Sequence, residues 1–456
     1  MAPTPFGAPM RQHFLLDPSY RNLNHGSFGT YPSPLLATQR SLQRLAESSP
    51  DEFLRYTQPT ALLTARHAVA GLLNCPPQDV VTVKNATTGV ATVLHNLAPH
   101  FEAGDVLLYF STIYGAVENG LFSLVEHLPG THLRLRKIEY AFPIAPNELV
   151  QRFRDTIRAV RTEGGTPRIA VLETVVSLPG VRFPFEHIVK VCREEGVWSL
   201  VDAAHGVGMI PLDLGVGGVD FLTSNLHKWL YTPRSAAILY VTPALQPLMR
   251  TTLPTSWGYI PAPSETTPRP SLMATPGANK TAFEALFEFV ATADDTPYLC
   301  APAAVQFREE VCGGERAIYA YLEELANEGA DLVASGLGTE VLGDTPRKRS
   351  AWRRCAMNNV RLPVRVLHGP QGGEGGVAPG LRAELVPAVV DWMQRRLVQE
   401  YRTFVPVFAH AGWLWVRLSA QVYLDRSDFE WLVPVLKELV GRVTEEFKLG
   451  KVSPHL

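Results

Sequence analysis

Val201-Asp-Ala-Ala-His205 and, further on, Ser224-Asn-Leu-His-Lys-Trp229 decide how this chain folds. Each lies at the end of a short apolar run: Trp198-Ser-Leu-Val201 leads into Asp202, and Asp220-Phe-Leu-Thr223 leads into the second stretch. Short apolar runs bounded by polar residues predict buried strands, and the carboxyl ends of such strands are where open α/β sheets bind ligands. On either side, Val80-Val-Thr-Val83, Val106-Leu-Leu-Tyr-Phe110, Arg168-Ile-Ala-Val-Leu172 and Ala236-Ala-Ile-Leu-Tyr-Val241 are further strand candidates. Helical stretches such as Leu149 to Glu163 and Pro184 to Glu195 lie between them. From about Thr60 to Thr255 the alternation predicts an α/β unit with a largely parallel sheet covered by helices.

Beyond Ile260 the chain is loop-like by composition, in Pro261-Ala-Pro-Ser-Glu-Thr-Thr-Pro-Arg-Pro270. Helical patterning resumes near Thr281 and includes Ala317 to Ala334. Cys355 to Leu362 and Trp413 to Leu418 read as strands, and Gly369 to Gly376 as a mobile surface loop. A last helix is expected near Ser427, where Ser427-Asp-Phe-Glu430 fits a capping box. At 456 residues the chain exceeds one compact core. The expected organisation is a large domain over residues 60–280 and a smaller α+β domain built from residues 1–59 and 281–456.

Lys and Arg total 42 against 44 Asp and Glu, for a net charge of −2, which gives nucleic acid no electrostatic reason to bind. Apolar runs are short and interrupted, so no membrane span is expected, and the amino terminus lacks the pattern of a secretory signal. The expected location is cytoplasmic. The five cysteines form no CxxC pair and the 13 histidines no metal-ligand spacing, so reduced thiols and no metal are expected.

Asp202 at a strand end could hold a protonated pyridine nitrogen by a charge-assisted hydrogen bond. Lys228, after the neighbouring strand, could reach the same crevice, where confinement lowers a lysine's pKa and makes it an amine nucleophile for a Schiff base. Taken singly, Asp202 could cap a turn and Lys228 could be a surface residue. Their combination, an Asp-Ala-Ala-His strand end followed by His-Lys-Trp after the next strand, is far more specific.

With these motifs the chain resembles, over nearly its whole length, the class V aminotransferases of fold type I, enzymes of pyridoxal 5'-phosphate (PLP). The resemblance implies a mainly parallel seven-stranded sheet in the large domain and Lys228 as the cofactor-bearing residue. Asn85-Ala-Thr-Thr-Gly-Val90, where a strand turns into a helix, then offers Thr87 and Thr88 to the phosphate, although simple N-capping would use the same residues. Asn225, His227 and His205 become further cofactor contacts. Tyr114, in Thr112-Ile-Tyr-Gly-Ala116, stacks on the pyridine and is a candidate proton donor. Ser177 stands where many relatives carry an asparagine near the cofactor's 3-hydroxyl. Thr292, in Ala291-Thr-Ala-Asp294, resembles a phosphate contact made by a neighbouring subunit, which implies a homodimer. Arg417 resembles the arginine that grips the substrate's α-carboxylate; a partner inside the protein is the competing reading. Asn24 and His25, in Asn24-His-Gly-Ser27, and Arg55 are further candidates on the substrate side.

Such an enzyme acts on an amino acid by removing its α-proton, with Lys228 as the base. Two closer resemblances bear on the fate of the resulting carbanion. Asn22 to Gly29, the Tyr114 segment and Pro179-Gly-Val-Arg-Phe-Pro-Phe185 are similar to the fungal hercynylcysteine sulfoxide lyases, which break a carbon–sulfur bond. Leu172 to Ser177, Thr296 to Cys300, Val311 to Tyr319 and Gly412 to Arg417 are more similar to the PLP enzymes of fungal loline alkaloid synthesis. These imply a Mannich-type ring closure. Trp413 and Trp415, in place of basic residues, suggest a flatter, less charged substrate or a better packed strand; Trp257 and Tyr259 are further pocket candidates. A cysteine desulfurase would need a thiol on a mobile loop, which is not found. A silent scaffold would be expected to lose Lys228, Asp202 or Arg417.

Overall fold

The computed structural model describes residues 2–261, 280–344, 349–367 and 378–452. Most of the Pro-rich stretch after Ile260 and the Gly369 to Gly376 loop lie outside the described residues. The first strands are β1 (Val80–Val83), β2 (Asp105–Phe110), β3 (Arg134–Ile138) and β4 (Thr166–Glu173). The short pair β5 (Val175–Val176) and β6 (Val181–Arg182) comes next, then β7 (Trp198–Asp202), β8 (Phe221–Asn225) and β9 (Ala237–Val241).

Seven of these form one sheet in the order β1-β9-β8-β7-β4-β2-β3, in which only β9 runs against its neighbours. The chain is thus an α/β protein of the expected kind. Val106, Leu108 and Phe110 enter one apolar cluster while Leu107 and Tyr109 enter another, so both faces are buried, as parallel sheets require. The edge strand β3 carries Arg134, Arg136 and Lys137, and that charge hid it from a reading based on apolar runs.

A second sheet takes β10 (Met357–Leu367), β11 (Ala378–Arg382), β12 (Val407–His410), β13 (Trp413–Ser419) and β14 (Gly450–Val452), in the order β12-β13-β10-β11-β14. The amino-terminal segment joins it: Ser419 N–H donates to the Leu23 carbonyl at 3.0 Å, and Arg21 N–H to that of Arg402 at 3.0 Å. The last helix spans Arg426–Glu446, and its cap differs from the expected one. Asp425 is the N-cap and forms the capping box with Asp428, because its carboxylate, two residues ahead of Ser427, reaches the free amides first.

Close packing brings the site elements together. The helix Ala86–Leu97 lies against β8 at Gly89, where a Cβ would stand 2.1 Å from Thr223 Oγ1. No helix among the described residues is long and apolar enough to cross a membrane.

Candidate active site

Glu173 and Asp202 end β4 and β7 as register partners, Asp202 pairs in turn with Thr223 of β8, and the short helix Leu226–Trp229 starts directly after β8. The sheet therefore delivers Asp202 and Lys228 to one crevice. Asp202 is buried; it accepts a hydrogen bond from Ala204 N–H at 2.9 Å. Burial raises its pKa against the opposing pull of that amide and of Lys228. Burial lowers the Lys228 amine to about 8, with Asp202 and Glu173 favouring its charge and Arg417 opposing it. His205 Nε2 lies 3.2 Å from Lys228 Nζ, and Trp229 Nε1 donates to His205 Nδ1 at 3.1 Å.

Glu173 belongs to this cluster although its position in a strand pattern gave no sign of it. Its carboxyl is held well above the ordinary range by burial and by Asp202, while the Tyr114 amide and Lys228 pull it down. Tyr114 stands at the N-cap of the helix Gly115–His127 and is half exposed.

At the start of the helix Ala86–Leu97, Asn85 accepts from Thr88 N at 2.8 Å and from Thr88 Oγ1 at 3.1 Å, and Asn225 accepts from Ala86 N at 2.9 Å. Thr88 therefore spends both donors on the cap. Thr87 is exposed on the same turn. His227 Nδ1 donates to the Ala236 carbonyl at 2.9 Å and its imidazole is lowered to about 4, chiefly by burial.

Arg417 comes from β13 and is buried. Its Nη1 donates to the Ser177 carbonyl at 2.8 Å and, at 3.5 Å, to Ser177 Oγ; its Nη2 donates to Asn24 Oδ1 at 2.7 Å and Ser27 Oγ at 2.9 Å. None of these partners is an anion, and Nε is buried without a partner among the described residues. Burial brings the guanidinium down to about 10. The internal ion pair is not what holds it. A buried cation held only by neutral groups is poised for an anionic ligand. Ser177 is drawn to this cation, and Asn24 and Ser27 approach it from the amino-terminal loop.

His25 takes another role than the substrate contact expected of it. It is buried, with Nε2 donating to the Lys228 carbonyl at 2.5 Å and Nδ1 accepting from Tyr423 Oη at 2.9 Å, while Asn22 Nδ2 donates to the same hydroxyl at 2.8 Å. Both ring nitrogens are committed to the scaffold. Gly29, at φ 65° with a Cβ position 1.9 Å from the His227 carbonyl, closes the same loop over the lysine's helix.

Arg55 lies exposed on the π-helical turn Phe53–Thr57 and binds Asp51 at 2.9 Å. Thr292 is exposed on the surface between the helices Ala282–Glu288 and Thr296–Leu299. Of the two roles open to Trp413 and Trp415, a flat substrate or a better packed strand, their contacts fit the packed strand. Trp415 is buried and its indole donates to the His410 carbonyl at 2.9 Å, while Arg361 stacks on Trp413 at 4.4 Å. Trp257 and Tyr259 are half exposed. Cys192, Cys300, Cys312 and Cys355 are buried; the Cys75 and Cys355 thiols are pushed up to about 12 by burial, so neither offers a reactive thiolate.

Comparison with known proteins agrees with this geometry. The family model described as aminotransferase class-V matches residues 54–260. The L-cysteine desulfhydrase-like protein lolT1 of Epichloe uncinata is 41% identical over 96% of this chain and 97% of its own length. Hercynylcysteine sulfoxide lyase of Schizosaccharomyces pombe is 29% identical over 95% of this chain and 97% of its own. Among solved structures, the cystine C–S lyase C-DES with its product cysteine persulfide superposes with a TM-score of 0.68 at 19% identity, covering 92% of this chain and 97% of that one.

Proposed function

The chain belongs to the aminotransferase class-V family of PLP enzymes, and from that membership we propose that it removes the α-proton of an amino acid with Lys228 as the base. The observation that carries this reading is the pairing, past adjacent strands, of a buried carboxylate with a half-buried lysine whose amine is lowered to about 8. The residues present suit the cofactor. Asp202 offers a buried carboxylate to the pyridine nitrogen, Tyr114 a ring face, and Thr87, Asn225 and His227 polar groups to the phosphate. When bound, PLP supplies an aldehyde that condenses with an amine and a ring that withdraws electrons from the α-carbon.

The protein's own groups then divide the work. Arg417 offers the substrate carboxylate its positive charge and its unpartnered Nε–H, and Asn24, Ser27 and Ser177 keep that guanidinium in place. Lys228 Nζ, at the strand-end crevice beside Asp202, would be the group that takes the α-proton. At about 8 its pKa leaves roughly a tenth of the amine unprotonated at pH 7, far more than an ordinary lysine keeps. Thr292, exposed in this chain, fits a phosphate contact made across a homodimer.

For the fate of the α-carbon we favour intramolecular Mannich-type ring closure, on the likeness of the Leu172–Ser177, Val311–Tyr319 and Gly412–Arg417 segments to the loline-pathway enzymes. The Trp413 and Trp415 pair adds nothing to that choice, since both pack within the sheet. Carbon–sulfur elimination is the second reading. It is favoured by the Asn22 to Gly29 loop, which resembles the sulfoxide lyases and supplies Asn24 and Ser27 to Arg417. Incubation with a cysteine-conjugate sulfoxide in deuterium oxide separates the two: pyruvate release supports elimination, and α-deuteration without cleavage supports ring closure.

A further inference from the structure

Trp229 comes directly after the lysine and is wholly buried, with its indole nitrogen aimed at the site rather than at the core. An indole N–H can only donate. His205 Nδ1, 3.1 Å away, must therefore be the bare nitrogen, and the neutral ring carries its hydrogen on Nε2. Burial, Lys228, Arg417 and His25 all disfavour an imidazolium here, in that order. The Nε2 hydrogen then faces Lys228 Nζ at 3.2 Å, and that contact is a hydrogen bond only when the lysine presents a lone pair. In the opposite tautomer, a bare Nε2 would accept from a lysinium and hold the amine in its protonated, non-nucleophilic form.

We propose that Trp229 is a positioning residue whose indole N–H locks the His205 tautomer that keeps Lys228 Nζ unprotonated. The inference rests on the reading of Lys228 as the cofactor-bearing base. Other groups also face Nζ: Asp202 and Glu173, from the neighbouring strand ends, draw a proton onto it, and Arg417, from β13, repels one. His227 on the same turn and His25 beneath Trp229 are kept neutral by burial. Against two carboxyls, a locked neutral donor holds the lone pair free without adding a charge that would compete for the substrate.

Trp229→Phe keeps a ring and removes the donor. The readout is the pH titration of the visible absorbance of PLP carried on Lys228 Nζ in the holoenzyme. Loss of one hydrogen bond to the unprotonated nitrogen should raise the titration midpoint by about one pH unit. The same substitution in a His205→Ala background should leave the midpoint where His205→Ala alone puts it, because no tautomer remains to be locked. An unmoved midpoint in Trp229→Phe, or an equal shift in both backgrounds, overturns the proposal. Should Trp229→Phe fail to fold, the ¹⁵N spectrum of the histidine-labelled wild-type holoenzyme decides. A neutral His205 with hydrogen on Nε2 supports the lock, and hydrogen on Nδ1 or an imidazolium at neutral pH refutes it. Absence of any visible band in the wild type would strike the Lys228 assignment itself, and the ¹⁵N spectrum would still determine the tautomer.

Discussion

Arg417 Nη2 and Asn24 Oδ1 meet at 2.7 Å although 393 positions separate them in the chain. The contact ties the amino-terminal loop to β13 and orients a buried cation whose hydrogen-bond partners are all neutral. Removing the amide in Asn24→Ala gives up a hydrogen bond to a charged group, worth about 1.5–3 kcal/mol. KM for the amino-acid substrate should rise roughly tenfold or more on that basis, with a smaller change in kcat. Arg417→Lys keeps the charge but loses the fork and should be more damaging. Steady-state kinetics check both; an unchanged KM in Arg417→Lys would remove Arg417 from the substrate site.

His25 is held at about 3, against an ordinary 6.5, by burial. The unfolded chain gains a proton below pH 6.5 that the folded chain refuses until about pH 3. His25 therefore contributes stability that is fully present above pH 6.5 and is lost as pH falls toward 3. The loss approaches about 1.4 kcal/mol per pH unit within that window. His25→Gln keeps a donor for the Lys228 carbonyl and cannot titrate, so its stability should fall less steeply between about pH 6 and 4 in urea unfolding series. Parallel slopes for the two proteins would show that His25 is not buried neutral.

Gly29→Ala would place a methyl group on the His227 carbonyl and force a left-handed φ on an alanine. We expect a loss of at least about 1–2 kcal/mol from the backbone alone, with displacement of the Lys228 helix added to it. A thermal melt should fall and the visible cofactor band should weaken together. A full-strength band in a destabilised variant would uncouple the loop from the lysine.

A trans contact by Thr292 has a complementation signature. When a Lys228→Ala chain is mixed with a Thr292→Arg chain, the heterodimer has one site with the intact lysine from one subunit and the intact threonine from the other. Activity should return on mixing. No recovery, with heterodimers verified by mass, would place Thr292 in cis or outside the site.

Much of this arrangement was legible in the sequence because strand ends announce themselves. Apolar runs ending in Asp202 and just before Asn225 fixed the large sheet, and Lys228 came from its distance past β8. The charged edge strand β3 escaped because its outward residues carry Arg and Lys. Other parts depend on neighbours that no local pattern names. His25 is a scaffold residue only because Tyr423 and the Lys228 carbonyl claim its two nitrogens, and Trp415 is core only because β12 covers it. Glu173 reads as a polar strand terminus until its register with Asp202 places it beside the lysine. The cap at Asp425 shows the same limit on a short scale, where two plausible capping patterns overlapped and side-chain reach chose between them.

The assignment of Lys228 is tested by comparing wild type with Lys228→Ala, each supplied with PLP and an amino-acid substrate in deuterium oxide. The wild type should show deuterium at the α-carbon, and Lys228→Ala should slow α-exchange by at least about 10²-fold, the low end for a positioned acid or base. Normal α-exchange or turnover in Lys228→Ala would contradict the role of Lys228 on which the whole reading of the site depends.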